Sequence, residues 1–187
     1  MSVHLIESIQ QNLNYPALRK IDPNSQEAKH AYEQSSDEKF AQAAIPAVLA
    51  GLYRLTRTES GTEQLLNTSN SKEWLNLFFN GKQNEAVHKV SQYSSVSEGH
   101  AANQMELIAD EAVFILKEKA GKEGSVEKVK HFMNDQRHGI LVYLPAALGI
   151  GDLVNDEALD DRTNKMEGPI SNLVHKIEDK LSGGDAR

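Results

Sequence analysis

EGHAANQMELIADEAVFILKEKA, Glu98 to Ala120, is the stretch on which the fold turns. Its apolar residues Met105, Ile108, Ala112, Ile115 and Leu116 recur at steps of three and four, the repeat of one face of an α-helix, and no alternating strand pattern competes with them. Ser97 stands where an N-cap hydroxyl is wanted and Gly121 where a left-handed closing residue is wanted. The spacing therefore predicts a long amphipathic helix.

The same punctuation recurs along the chain. Ser2 precedes Val3 to Leu13, Asp22-Pro23 precedes a weak helix through Tyr32, and Ser36 precedes the segment Asp37 to Thr56. Ser60, Ser71 and Ser125 read as further starts and Gly81 as a stop, while Gly168-Pro169 opens a final helix that ends near Gly183-Gly184. About eight or nine helices with short connectors predict an all-α, compact multi-helix bundle. The expected organisation is one all-α domain over 1–182, with 183–187 as a disordered tail.

Two segments look alike. Phe40 to Leu52, FAQAAIPAVLAGL, and Ile140 to Ile150, ILVYLPAALGI, share an aliphatic-Pro-Ala-x-Leu centre. Both are apolar nearly all round, which places them inside a bundle. Each proline removes a backbone donor and should kink or start a helix. They suggest an internal pseudo-repeat, with halves 1–94 and 95–182.

Composition narrows the class. Of 187 residues, 39% are hydrophobic and 25% charged, with 12 Gly and 5 Pro; collagen-like, low-complexity and wholly disordered chains are excluded. With no cysteine there is no disulfide framework, thiolate metal cluster or cysteine nucleophile. Twenty basic against 27 acidic residues leave a net charge of -7, which argues against a phosphate-binding surface, so no nucleic-acid partner is expected. The acidic excess gathers after Gly151, from Asp152 to Glu167, and reads as a solvated face or linker. Met1-Ser2-Val3-His4-Leu5-Ile6-Glu7 lacks the basic start and apolar run of a signal peptide. The two apolar segments fall short of the ~20 residues that a bilayer requires, so no integral membrane segment and a cytoplasmic location are expected.

Several constellations could carry chemistry. Glu27-Ala-Lys-His30 and Glu85-Ala-Val-His88 have the Glu-x-x-His form used by di-iron bundles. At ~100° per residue, however, all four side chains project away from Ala28, Ala31, Val87 and Val90. His131, Asp135 and His138 share one stripe of a helix at a spacing that suits zinc. They lie opposite Val126, Val129, Met133 and Ile140, on a surface face. Glu106 and Asp110, and likewise Asp156 and Asp160, are carboxylate pairs one helical turn apart; acid–base work would need a pocket that shifts one pKa. There is no nucleophile elbow, phosphate-cradling loop or His-Glu-x-x-His. Trp74-Leu-Asn-Leu-Phe-Phe-Asn-Gly81 concentrates aromatic residues and reads as core.

The order of these features resembles the bacterial YidB-like family of proteins of unknown function. A Trp/Leu/Phe-rich helix closed by Gly81 leads to a helix from Glu85 to Tyr93, then to Ser-Val-Ser and the apolar helix through Leu116. Later Val129 to Gln136 runs into Leu144-Pro145-Ala146-Ala147-Leu148. The likeness is best over 74–151, and Ala44 to Leu52 is similar to that family's other Leu-Pro-Ala-like helix. It implies an all-α fold and brings no established reaction, cofactor or functional residues. The expectation is a non-enzymatic bacterial helical binding or scaffolding protein without a cofactor, acting as a homodimer or on a protein partner. The alternative is a metal-binding protein or hydrolase using His131, Asp135 and His138.

Overall fold

The computed structural model describes residues 4–22, 24–25, 27–28, 33–68, 73–120 and 125–154. Eight α-helices lie within them: α1 (Leu5–Leu13), α2 (Ser36–Thr56), α3 (Glu59–Asn67), α4 (Trp74–Phe78), α5 (Gln83–Ser94), α6 (Glu98–Ala120), α7 (Val126–Tyr143) and α8 (Ile150–Val154), with a 3₁₀ turn over Ala146–Leu148. Extended pairing among the described residues is confined to one isolated bridge, Ile21 to Ala28. The expected all-α multi-helix bundle is the observed architecture. None of these helices is long and apolar enough to cross a membrane.

The bundle is organised around α2. Every residue from Phe40 to Tyr53 is buried, and α1, α3, α4, α5, α6, α7 and α8 all pack against this one helix. Six of these residues, Ala41, Ala43, Ala44, Ala47, Ala50 and Gly51, are small enough to let neighbours approach on every side. Pro46 lies within the helix, where it forfeits a backbone hydrogen bond. Complete burial of the surrounding aliphatic side chains offsets that loss. The helix begins at a capping box: Ser35 Oγ accepts from Glu38 N–H at 3.2 Å, and Glu38 Oε2 accepts from Ser35 N–H at 2.8 Å. The cap is thus one residue before the expected Ser36, because only Ser35 has a glutamate three positions on.

The second apolar segment behaves differently. α7 stops at Tyr143, Leu144 is extended as residues before proline tend to be, and Pro145 introduces the 3₁₀ turn. Gly149, at φ 53°, then reverses the chain into α8. Leu144, Leu148, Ile150, Leu153 and Val154 are nonetheless buried, so like sequences fill the same core with unlike backbones.

The weak helix expected after Asp22 is not formed over its described part. Asp22 Oδ1 accepts from Asn24 N–H at 2.8 Å, and Asp22 N–H donates to the Glu27 carbonyl at 2.8 Å. A side chain that bonds its own backbone two residues on favours a turn over a helix. Other expected signals hold: Ser97 Oγ receives His100 N–H, Ser125 Oγ receives Lys128 N–H, and Gly81, at φ 83°, closes the turn after α4. α3 starts at Glu59, capped by Thr58 rather than Ser60. Ser2, Ser71, Gly121, the final helix, the 183–187 tail, His30 and the pair Asp156 and Asp160 lie outside the described residues.

Candidate functional site

α6 positions two groups of polar side chains with different tasks and, between them, an exposed apolar pair. On the flank facing α4, Glu106 reaches the first turn of a helix that carries no side-chain cap of its own. Its carboxylate accepts from the backbone N–H of Trp74 and, at 3.2 Å, from that of Leu75. One turn on, Asp110 Oδ1 accepts from the Trp74 indole N–H at 2.7 Å. Lys117 stands 5.6 Å over the Trp74 ring and donates to the Thr68 carbonyl, a cation–π contact combined with a hydrogen bond. The carboxylate pair is therefore a clamp that caps and orients α4, while the buried Trp74, Leu75 and Phe78 supply its apolar footing.

Burial pushes the Glu106 carboxyl above the ordinary carboxylate range; the two backbone donors oppose the shift, and the neighbouring charges of Asp110 and Glu73 add to it. Burial likewise lowers Lys117. Because folded Glu106 holds its proton more tightly than the unfolded chain does, the linked stabilisation is full below the ordinary carboxylate range. It is lost as pH rises through the raised value. The stability of the parent relative to Glu106→Gln is accordingly expected to fall between acid and neutral pH in urea titrations; a constant difference would remove the linkage.

The second group joins α6 to α1. Glu111 Oε1 accepts from Asn12 Nδ2 at 2.7 Å, and Gln104 Oε1 accepts from the Tyr15 hydroxyl at 2.9 Å. Between these two flanks runs the outer face of α6. Leu107 and Phe114, seven residues apart and hence nearly aligned on the helix, are 50% and 64% exposed. Asp110, Glu111 and Glu118 surround them. Among the described residues these are the large apolar side chains that remain in water.

The expected metal stripe is brought together only in part. His131 and Asp135 are on the surface, with side chains 82% and 65% exposed, and their approach of 3.9 Å is solvated. His138 is exposed as well, and it borders a cleft of about 170 Å³ between α1 and α7, shared with His4, Glu7, Lys20 and Tyr143. Gln136 ties the two helices beside it, its Oε1 accepting from Leu5 N–H at 2.9 Å. No group of three His, Asp or Glu residues among the described ones is arranged to hold a metal ion.

The Glu-x-x-His side chains are likewise dispersed. His88 Nδ1 lies 2.6 Å from Glu98 Oε1 at an exposed helix junction, and Glu85 is exposed as expected. Glu27 does not face water from a helix: its Oε2 accepts from the Tyr93 hydroxyl at 2.9 Å, holding the turn after Asp22 against α5. Burial, followed by the Glu27 charge, pushes the Tyr93 phenol far up.

Sequence reading missed Leu107 and Phe114 because it followed the inward stripe. Their signal was there: two large apolar residues at i and i+7, roughly opposite Met105, Ala109, Ala112 and Leu116. Neither a protein-family model, nor a curated protein, nor a solved structure matches this chain.

Proposed function

We propose that the chain is a non-enzymatic helical binding protein whose partner surface is the outer face of α6. The carrying observation is the exposed pair Leu107 and Phe114 inside an acidic frame. Exposed side chains of this size are anchors in helix recognition, and the frame selects for what lies beside the anchors. The partner that fits is an amphipathic helix with an aliphatic seam flanked by Lys or Arg. A second copy fits less well: antiparallel pairing about residues 110 and 111 would seat Leu107 on Phe114 but bring Asp110 against Glu111. The resemblance to the YidB-like family belongs to the same proposal, as a helical bundle without an assigned reaction.

Titration calorimetry with two synthetic helices tests the reading, one with a leucine seam framed by lysines, the other with the same seam framed by glutamates. The lysine helix should bind, weaken at least about tenfold with Phe114→Asp, and weaken again with salt, while the folded stability stays within about 0.5 kcal/mol. Equal binding of both helices, or indifference to Phe114→Asp, sinks it. A dimer in light scattering that separates on Phe114→Asp would transfer the face to self-association.

A further inference from the structure

A continuous trough runs between α3 and α4. Its larger part, about 500 Å³, is bordered by Arg54, Leu55, Arg57 and Val154. The smaller part, about 390 Å³, extends past Asn76 to Glu73. Gln64, Leu77 and Asn80 line both parts and make them one surface. The trough is thus basic at the end where α2 closes and apolar along Leu55 and Leu77. Arg54 in the last turn of α2 and Arg57 at its C-cap are the basic groups there.

Val154 is the last described residue, and it is 2% exposed, so the chain continues from an anchored point on the trough wall. The next seven residues are Asn155-Asp-Glu-Ala-Leu-Asp-Asp161, with carboxylates at 156, 157, 160 and 161 around Leu159. At roughly 3.5 Å per residue, Asp156 and Glu157 lie no farther than about 11 Å from the Val154 Cα. Such a short tether gives the acidic segment a local concentration in the millimolar range beside the two arginines, which no free ligand of the same charge matches at ordinary concentration.

We infer that residues 155–161 dock back into the trough between α3 and α4, with the carboxylates against Arg54 and Arg57 and Leu159 on the footing made by Leu55 and Leu77. The occupant is the chain's own acidic segment, and the trough is a basic surface shielded in cis. Salt weakens the contact, because at about 1 M the Debye length falls to roughly 3 Å.

The absence of native cysteine allows a direct test in the full chain. Gln64→Cys paired with Leu159→Cys should close an intramolecular disulfide under mild oxidation about tenfold faster than Asn103→Cys paired with Leu159→Cys, whose first site lies on the outer face of α6. High salt, or neutralisation by Asp156→Asn, Glu157→Gln, Asp160→Asn and Asp161→Asn, should slow the Gln64 closure severalfold and leave the Asn103 rate nearly unchanged. Equal rates in the unaltered background overturn the inference, as does a Gln64 rate that neither salt nor neutralisation slows. Disulfide-linked dimers in place of the closed monomer would assign the trough to a second copy and also overturn it. Far-ultraviolet dichroism of each variant establishes that the bundle is retained.

Discussion

Gly61→Ala should destabilise the protein by about 3 kcal/mol, a large share of the stability of an ordinary domain. Gly61 is in the first turn of α3, buried at the corner where that helix leaves α2. A Cβ built there would lie 2.2 Å from the Leu55 carbonyl oxygen, 2.8 Å from Thr58 Oγ1 and 3.0 Å from Leu55 Cδ1. The nearest of these is backbone, so relief requires α2 and α3 to part. Parting them also breaks the cap in which Thr58 Oγ1 accepts from Gly61 N–H at 3.1 Å, a bond of the kind whose loss costs about 1 kcal/mol. The paired bonds from Thr62 Oγ1 to the carbonyls of Thr56 and Thr58 would be strained as well. Gly139→Ala is the control: beyond the adjoining residues and backbone of its own helix nothing lies within 4 Å of its added Cβ, and the substitution in the interior of α7 should stabilise by about 0.5–1 kcal/mol. Urea unfolding of both should move the midpoints in opposite directions. If Gly61→Ala unfolds within about 0.5 kcal/mol of the parent, the corner yields and the steric account fails.

The contrast between those glycines shows which parts of the fold were legible. Residues whose task is local can be read from their neighbours: Ser97 and Ser125 as caps, Gly81 as a stop, and the inward stripe of α6 all follow from spacing within one turn. The two Pro-containing segments mark the limit. Ile45-Pro46 and Leu144-Pro145 look alike in sequence, and before a proline the extended state is preferred at both. At Leu144 that preference prevails and α7 ends; at Ile45 it is overridden, because packing on all sides of α2 holds the helix through Pro46. The candidate site was partly legible for the same reason. The outward projection of His131 and Asp135 follows from helical geometry alone. That Glu106 and Asp110 clamp α4, or that His138 shares a cleft with His4, depends on residues more than thirty positions away. No spacing rule reaches that far.

Gln42 is where the local and distant levels meet, and its replacement is the other large effect expected. It is a fully buried polar side chain in the middle of the apolar run of α2. Its Oε1 accepts from Arg19 N–H at 2.8 Å and its Nε2 donates to the Tyr143 carbonyl at 2.7 Å. Ile21 N–H donates to the Val142 carbonyl at 2.8 Å beside it, so the irregular chain after α1 and the end of α7 are sewn together over α2. Gln42→Leu keeps the volume and leaves a backbone N–H and a carbonyl unpaired; at about 1–3 kcal/mol for each orphaned group, a loss of roughly 3–4 kcal/mol is expected. Gln42→Glu separates the hydrogen bonds from the packing. The carboxylate still accepts from Arg19 N–H, but when ionised it faces the Tyr143 oxygen without a proton to donate, in a site that disfavours charge. Its folded pKa must therefore rise, and its stability should approach the parent's at about pH 5 and fall away by about pH 8. Gln42→Leu should show no such dependence relative to the parent. A Gln42→Leu protein as stable as the parent would mean that Arg19 and Tyr143 find other partners once the side chain is gone, and the seam would then be held by apolar packing alone.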